Sequence, residues 1–254
     1  MVSDMTIYVD RCCSVNDYTY LKSNELRVFS IFQSFQGEGM FSGRSANFVR
    51  LAGCNLGGKG VNGSGCSFCD TRFHYNEGKT MTFEEIFNKL NPRIALIVLT
   101  GGEPMLQKNI TEFCKQANNK GFVVQIETNG TLYRPIDDCN YIVVSPKVPE
   151  LRKDLFNRAN VLKFVVDENF KLPDYVFSFI EDSNLKERYG RLVYISPINV
   201  YKRELNEGEI PCLFDSGLFD YETMKRNYKK TIELQKEYPF LIINAQIHLL
   251  FGVL

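Results

Sequence analysis

Residues 94–104 read IALIVLTGGEP. The first six are apolar without a break, the mark of a strand buried on both faces rather than one with a wet side. The run stops at Thr100, and Gly101-Gly102-Glu103-Pro104 follows at once. Two glycines expose main-chain N–H and C=O groups to close approach. Glu103 then sets a carboxylate beside them, able to take hydrogen bonds from an ammonium group. A ligand carrying both an amine and a carboxylate would suit such a turn.

Working outward, strand-like and helix-like segments alternate. Upstream, Leu26 to Phe32 and Asn47 to Leu51 read as strands, and Thr82 with Glu85 forms a capping box before a short helix ending near Leu90. Downstream come a helix around Asn109 to Asn119 and strands at Phe122 to Ile126, Tyr141 to Val144 and Val161 to Val166. A helix at Pro173 to Ile180, a strand at Arg191 to Ile195, a long helix at Tyr221 to Tyr238 and a last strand at Leu241 to Ile243 complete the series. In the long helix Tyr221, Met224, Tyr228 and Ile232 lie on one face. This alternation implies parallel strands in an α/β fold, either a partial (β/α) barrel or an open doubly wound sheet. In both, chemistry sits at the C-terminal ends of the strands. Four such ends carry useful residues: Thr100 to Pro104, Glu127 to Gly130, Ser145 to Lys147, and Ser196 to Asn199.

Composition narrows the field. The 254 residues carry 30 basic and 30 acidic side chains, and 44% are hydrophobic. That balance fits a globular protein and argues against a dedicated nucleic-acid or membrane-surface binder. Met1 to Asp10 has no apolar core of a leader peptide, so a cytoplasmic location is expected. In that compartment eight cysteines do not imply disulfides. Cys12, Cys13, Cys114, Cys139 and Cys212 are scattered and read as small buried hydrophobes. Cys54, Cys66 and Cys69 lie together in a stretch, 53–79, that holds seven glycines and reads as one long loop. Spacing alone leaves zinc and an iron–sulfur cluster level. Zinc would need a fourth ligand, for which His74 is the local candidate; a cluster would leave one iron open.

The segments FQGEG at 35–39, FVRLAGCNL at 48–56, CSFCDT at 66–71, TGGEP at 100–104, ETNG at 127–130, SPK at 145–147 and QIH at 246–248 together resemble the 7-carboxy-7-deazaguanine synthase family. This family lies within the radical S-adenosylmethionine (SAM) enzymes. The GGEP turn alone points only to the superfamily. The resemblance implies a single partial (β/α)6-type barrel domain over 1–254, with an N-terminal arm at 1–23 and insertions within about 150–220. It implies conversion of 6-carboxy-5,6,7,8-tetrahydropterin to 7-carboxy-7-deazaguanine with release of ammonia, SAM being regenerated. The cofactors implied are a [4Fe–4S] cluster on Cys54, Cys66 and Cys69, SAM, and Mg²⁺ on Thr71 with Asp70 in support.

The resemblance further implies that Gly101, Gly102 and Glu103 hold the methionyl part of SAM. Ser145, Pro146, Lys147, Ser196 and Asn199 would hold its ribose and carboxylate end. Substrate contacts fall on Phe35, Gln36, Gly37, Arg50, Thr100, Glu127, His248 and Leu254, with Arg50 matched to a carboxylate in two-point geometry. Expected partners are an electron donor such as flavodoxin or ferredoxin and a second copy of the chain, with no direct nucleic acid and no membrane. Gln246-Ile247-His248 is open between a tail over the substrate and a plain edge strand. Two other functions share the cysteines, a glycyl-radical activase and a zinc-stabilised module without catalysis. The chain departs from the family pattern at Ser196 to Asn199 and in its ending, Phe251 to Leu254.

Overall fold

The computed structural model describes residues 20–56, 78–148, 151–181, 191–203, 205, 209–215 and 217–253. Cys12, Cys13, Cys66, Cys69, Asp70, Thr71, His74 and Leu254 lie outside the described residues. The chain divides into two compact units, Met1–Gln33 with Ala46–Asn160 and Ser34–Ser45 with Val161–Leu254.

The first unit holds strands β1 (Glu25–Phe35, less its last two residues), β2 (Ser45–Leu51, less its first), β3 (Lys79–Thr82), β4 (Leu96–Gly101), β5 (Val123–Thr128) and β6 (Tyr141–Val144). Its helices are α1 (Phe83–Lys89), α2 (Ile110–Asn119) and α3 (Lys153–Arg158). The strands lie in the order β3-β1-β2-β4-β5-β6. β2, β4, β5 and β6 run parallel in sequence, whereas β3 runs antiparallel to β1. The apolar run behaves as its composition dictates: Ile97, Val98 and Leu99 are fully buried, as are Val124 and Ile126 on β5.

α1 opens on the expected capping box, with the Thr82 hydroxyl accepting from Glu85 N and the Glu85 carboxylate accepting from Thr82 N. α2 buries Ile110, Phe113, Cys114 and Ala117, an i, i+3, i+4, i+7 stripe. β4 starts two residues later than the apolar run because Ile94 closes a turn, its N–H donating to Asn91 O at 3.1 Å. The fully buried Asn47 side chain holds that turn through three hydrogen bonds of 2.8–3.1 Å to Asn91 and Ile94. Cys114 and Cys139 are buried as expected; a hydrogen bond with Cys139, and then burial, push the Cys114 thiol well above its usual pKa.

The second unit holds β7 (Val161–Val166), α4 (Tyr175–Glu181), β8 (Leu192–Pro197), α5 (Tyr221–Glu237), β9 (Leu241–Ile243) and α6 (Ile247–Phe251). β7, β8 and β9 are parallel neighbours. The buried face of α5 is Met224, Asn227, Thr231 and Leu234, while Tyr221 and Ile232 are exposed. Two of these four positions are polar, Asn227 donating to Ile198 O and Thr231 to Asn227 O, so apolar periodicity alone does not mark the buried face. The 247–251 segment is a short helix rather than an edge strand, closed by Gly252 at φ +58°. Among the described residues, no helix is long and apolar enough to cross a membrane.

Candidate active site

The first unit gathers strand-end residues around Cys54. Parallel pairing of β2 with β4 sets Arg50 beside Thr100 and Leu51 beside Gly101. The two chains stay zipped beyond the sheet. Gly102 N donates to Leu51 O at 2.9 Å and Glu103 N to Gly53 O at 2.7 Å. This closeness requires glycine: a Cβ on Gly102 would stand 1.7 Å from Gly53 O and 3.2 Å from Cys54 N. Cys54, half-buried, is therefore held against the main chain of the GGEP turn.

Glu103 is fully buried, and its carboxylate braces the turn. One oxygen accepts from Met105 N at 2.9 Å and from the Thr128 hydroxyl at 2.7 Å; the other accepts from Asn129 N at 2.7 Å. Burial raises its pKa to about 7 against those three bonds, which pull it down. The side chain expected to meet a ligand ammonium thus also braces the Glu127–Gly130 turn. From that turn, Asn129 Nδ2 donates to Asn55 Oδ1 at 3.0 Å and lies 4.0 Å from Cys54 Sγ. Asn129 Oδ1 accepts from the Thr131 hydroxyl, which in turn accepts from Asn55 Nδ2. Asn55 and Asn129 stand in the quoted motifs with no role assigned by sequence. Their role is to fasten the Cys54 loop to the end of β5.

The remaining first-unit residues keep to the same strand ends. The Arg50 guanidinium sits over the Phe32 ring, 4.9 Å from its centroid, and that ring stacks on Phe48. Glu127 accepts from Gln125 Nε2 at 2.9 Å. Ser145 N continues the ladder by donating to Thr128 O, and Lys147 Nζ donates to Ser145 Oγ at 2.8 Å, with Pro146 between them.

The second unit gathers a separate set. Phe35 meets Phe251 edge-on at 5.6 Å. Gln36 is buried and closes a turn with Arg44 and Gly43 through main-chain bonds. Ile247 N donates to Gly37 O, and the His248 ring lies where a Cβ on Gly37 would be, 2.1 Å from its Nδ1. The Glu38 carboxylate pairs with the Lys163 ammonium and accepts from Gln246 Nε2 at 2.7 Å. Burial raises its pKa, but the Lys163 charge and these bonds prevail and bring it down to about 2. Ser196 Oγ accepts from Asn244 Nδ2 at 2.8 Å, and Asn199 Nδ2 donates to Gln246 Oε1 at 2.7 Å. Sequence reasoning gave no role to Glu38, Lys163 or Asn244. Lys163 carried a signal, as a lone charge in the apolar run Val161 to Val166.

The radical SAM superfamily model matches residues 49–163. The 7-carboxy-7-deazaguanine synthase of Rickettsia prowazekii is 38% identical over 197 residues, covering 72% of this chain and 75% of that protein. The chain belongs to the 7-carboxy-7-deazaguanine synthase family. The family's Haemophilus influenzae member is 32% identical over 177 residues, 68% of this chain and 75% of that one. The crystal structure of QueE from Escherichia coli aligns with a TM-score of 0.62 at 20% identity, covering 91% of this chain and 98% of that chain. That likeness shows the α/β fold of the radical SAM class. The chain is thus a radical SAM enzyme, for which the family implies a [4Fe–4S] cluster and SAM. The described residues fit those groups: Cys54 is a free, half-buried cysteine, and its main chain lies beside the Gly101-Gly102 turn.

Proposed function

We propose that this 7-carboxy-7-deazaguanine synthase family member converts 6-carboxy-5,6,7,8-tetrahydropterin to 7-carboxy-7-deazaguanine with release of ammonia. The supporting observation is the zipped pair of loops that holds Cys54 against Gly101, Gly102 and Glu103. When bound, the cluster and SAM supply one electron and a hydrogen-abstracting carbon radical. Cys54, Cys66 and Cys69 hold the cluster. The main chain of Gly101 to Glu103 orients the methionyl end of SAM, with the Glu103 side chain keeping that turn rigid from behind. Ser145, Pro146, Lys147, Ser196 and Asn199 hold the rest of SAM.

Arg50 binds the pterin carboxylate. Its guanidinium already lies over the Phe32 ring, 4.9 Å from the centroid, which leaves less rotamer freedom to lose on binding. Thr100, its neighbour in register, and Glu127 take the ring edge, together with Phe35, Gln36, Gly37, His248 and Leu254. Thr71 offers a neutral hydroxyl to Mg²⁺, whose octahedron substrate oxygens and waters complete. A small reductant protein such as flavodoxin or ferredoxin delivers the electron, and the enzyme works as a cytoplasmic homodimer.

The test is Arg50→Ala in anaerobically reconstituted enzyme. KM for the carboxypterin rises by about 10²-fold, the loss of a two-point charged contact, while the affinity for SAM stays within about twofold. An unchanged KM would remove Arg50 and favour a substrate without that carboxylate.

A further inference from the structure

Lys163 stands in β7 among Val161, Leu162, Phe164, Val165 and Val166, and is 8% exposed. A buried ammonium needs a partner, and the Glu38 carboxylate supplies it from 125 residues away. Glu38 Oε1 accepts from Gln246 Nε2 at 2.7 Å, Gln246 Oε1 accepts from Asn199 Nδ2 at 2.7 Å, and Asn199 Oδ1 accepts from the Tyr228 hydroxyl over a longer 3.4 Å. A second tie runs alongside, with Asn244 bridging Gly39 N and Ser196 Oγ, each at 2.8 Å.

This chain of side chains has a direction. An ammonium only donates and a carboxylate only accepts. Gln246 must therefore turn its NH₂ toward Glu38, which leaves its oxygen for Asn199. Asn199 must turn its NH₂ to that oxygen, which leaves Oδ1 as the end it shows to anything else. Flipping one amide alone sets two acceptors or two donors against each other.

We propose that Glu38 is a positioning residue, which acts through Gln246 to make Asn199 present a hydrogen-bond acceptor. A ribose hydroxyl has a proton to donate and takes that acceptor. This inference rests on the reading of Asn199 as a contact to the SAM ribose.

The chemistry predicts a rescue. In Glu38→Gln the new amide must give its oxygen to Lys163, so its NH₂ faces Gln246. The whole relay then reverses, and Asn199 shows a donor. In Asn199→Asp the new carboxylate meets the Gln246 oxygen. With both changes the reversed relay ends on a carboxylate, Gln246 donates to it, and an acceptor again faces outward.

SAM affinity of the anaerobically reconstituted proteins reads this out. Each single variant loses about tenfold, and the double variant returns to within about threefold of the unsubstituted enzyme. Losses that add, to about a hundredfold in the double variant, would overturn the relay, because additive losses mean that the two sites act independently. Thermal unfolding of the same four proteins separates this from the functional reading. Asn199→Asp must lower the unfolding midpoint more beside Glu38 than beside the Glu38→Gln change; equal lowering would overturn the relay. An unsubstituted enzyme that binds no SAM would remove the functional reading, and the midpoints alone would then decide the relay.

Discussion

Adding one methyl group at Gly102 is the sharpest perturbation that this geometry allows. The new Cβ would stand 1.7 Å from Gly53 O and 2.4 Å from Gly53 C, where contacts under 3.0 Å essentially never occur. The obstacle is main chain on both sides, so no rotamer relieves it. The two loops must part by more than 1 Å. That breaks the 2.7 Å bond from Glu103 N to Gly53 O, and it strains the 2.9 Å bond from Gly102 N to Leu51 O. Overpacking of this kind costs roughly 1–3 kcal/mol, and stranding a buried main-chain partner costs roughly 1–3 more. Gly102→Ala should therefore lose about 2–6 kcal/mol of stability.

Gly121→Ala is the control. Gly121 sits at φ +86° with nothing within 4 Å of a Cβ, so it reports backbone strain alone, about 1 kcal/mol. Urea unfolding of both variants gives the comparison, and iron and sulfide content after reconstitution gives the functional half. The Gly102 variant should load cluster poorly, because its displaced loop carries Cys54; the Gly121 variant should load normally. Equal stability losses with full cluster in both would refute the zipped-loop account.

Glu103 makes stability depend on pH. Its pKa is raised from 4.5 to about 7, so the folded chain keeps a proton that the unfolded chain releases. Stability from this group is fully present below about 4.5 and is lost as pH rises through about 7, by at most about 3 kcal/mol. Urea unfolding across that window should show the slope, and Glu103→Gln should flatten it; identical slopes would assign the slope elsewhere. Asn47→Ala removes three buried hydrogen bonds to the turn before β4 and should cost about 2–4 kcal/mol by the same unfolding measurement. A loss under about 0.5 kcal/mol would mean that the turn holds itself.

The strands were legible because their residues leave little choice. Tyr141 to Val144 and, apart from Lys163, Val161 to Val166 are apolar runs bounded by polar residues, Leu241 to Ile243 is apolar throughout, and the observed strands coincide with them. Thr82 and Glu85 announced α1 by a local bond that needs no tertiary partner. What escaped depends on partners far away in sequence. The polar buried face of α5 follows from Asn227 bonding Ile198 O, and helical periodicity of apolar residues carries no trace of it. β3, with the sequence KTMT, pairs only because β1 offers it an edge. The same holds for the site. The quoted motifs contain Glu38, Asn55 and Asn129, yet Asn55 and Asn129 tie their two loops together and Glu38 bonds Gln246 and Lys163. Glu103 was legible as important, while its three donors, Met105, Thr128 and Asn129, were not. Lys163 was the one visible anomaly, and its partner lay 125 residues away.

The most direct test of the central reading is a single anaerobic turnover experiment. The protein is reconstituted with iron and sulfide, reduced, and given SAM and 6-carboxy-5,6,7,8-tetrahydropterin, and products are followed by mass. The account predicts 7-carboxy-7-deazaguanine and ammonia in equal amounts, no net consumption of SAM, and loss of all product in Cys54→Ser. A protein that stays colourless, binds one zinc ion and leaves the pterin untouched would contradict it.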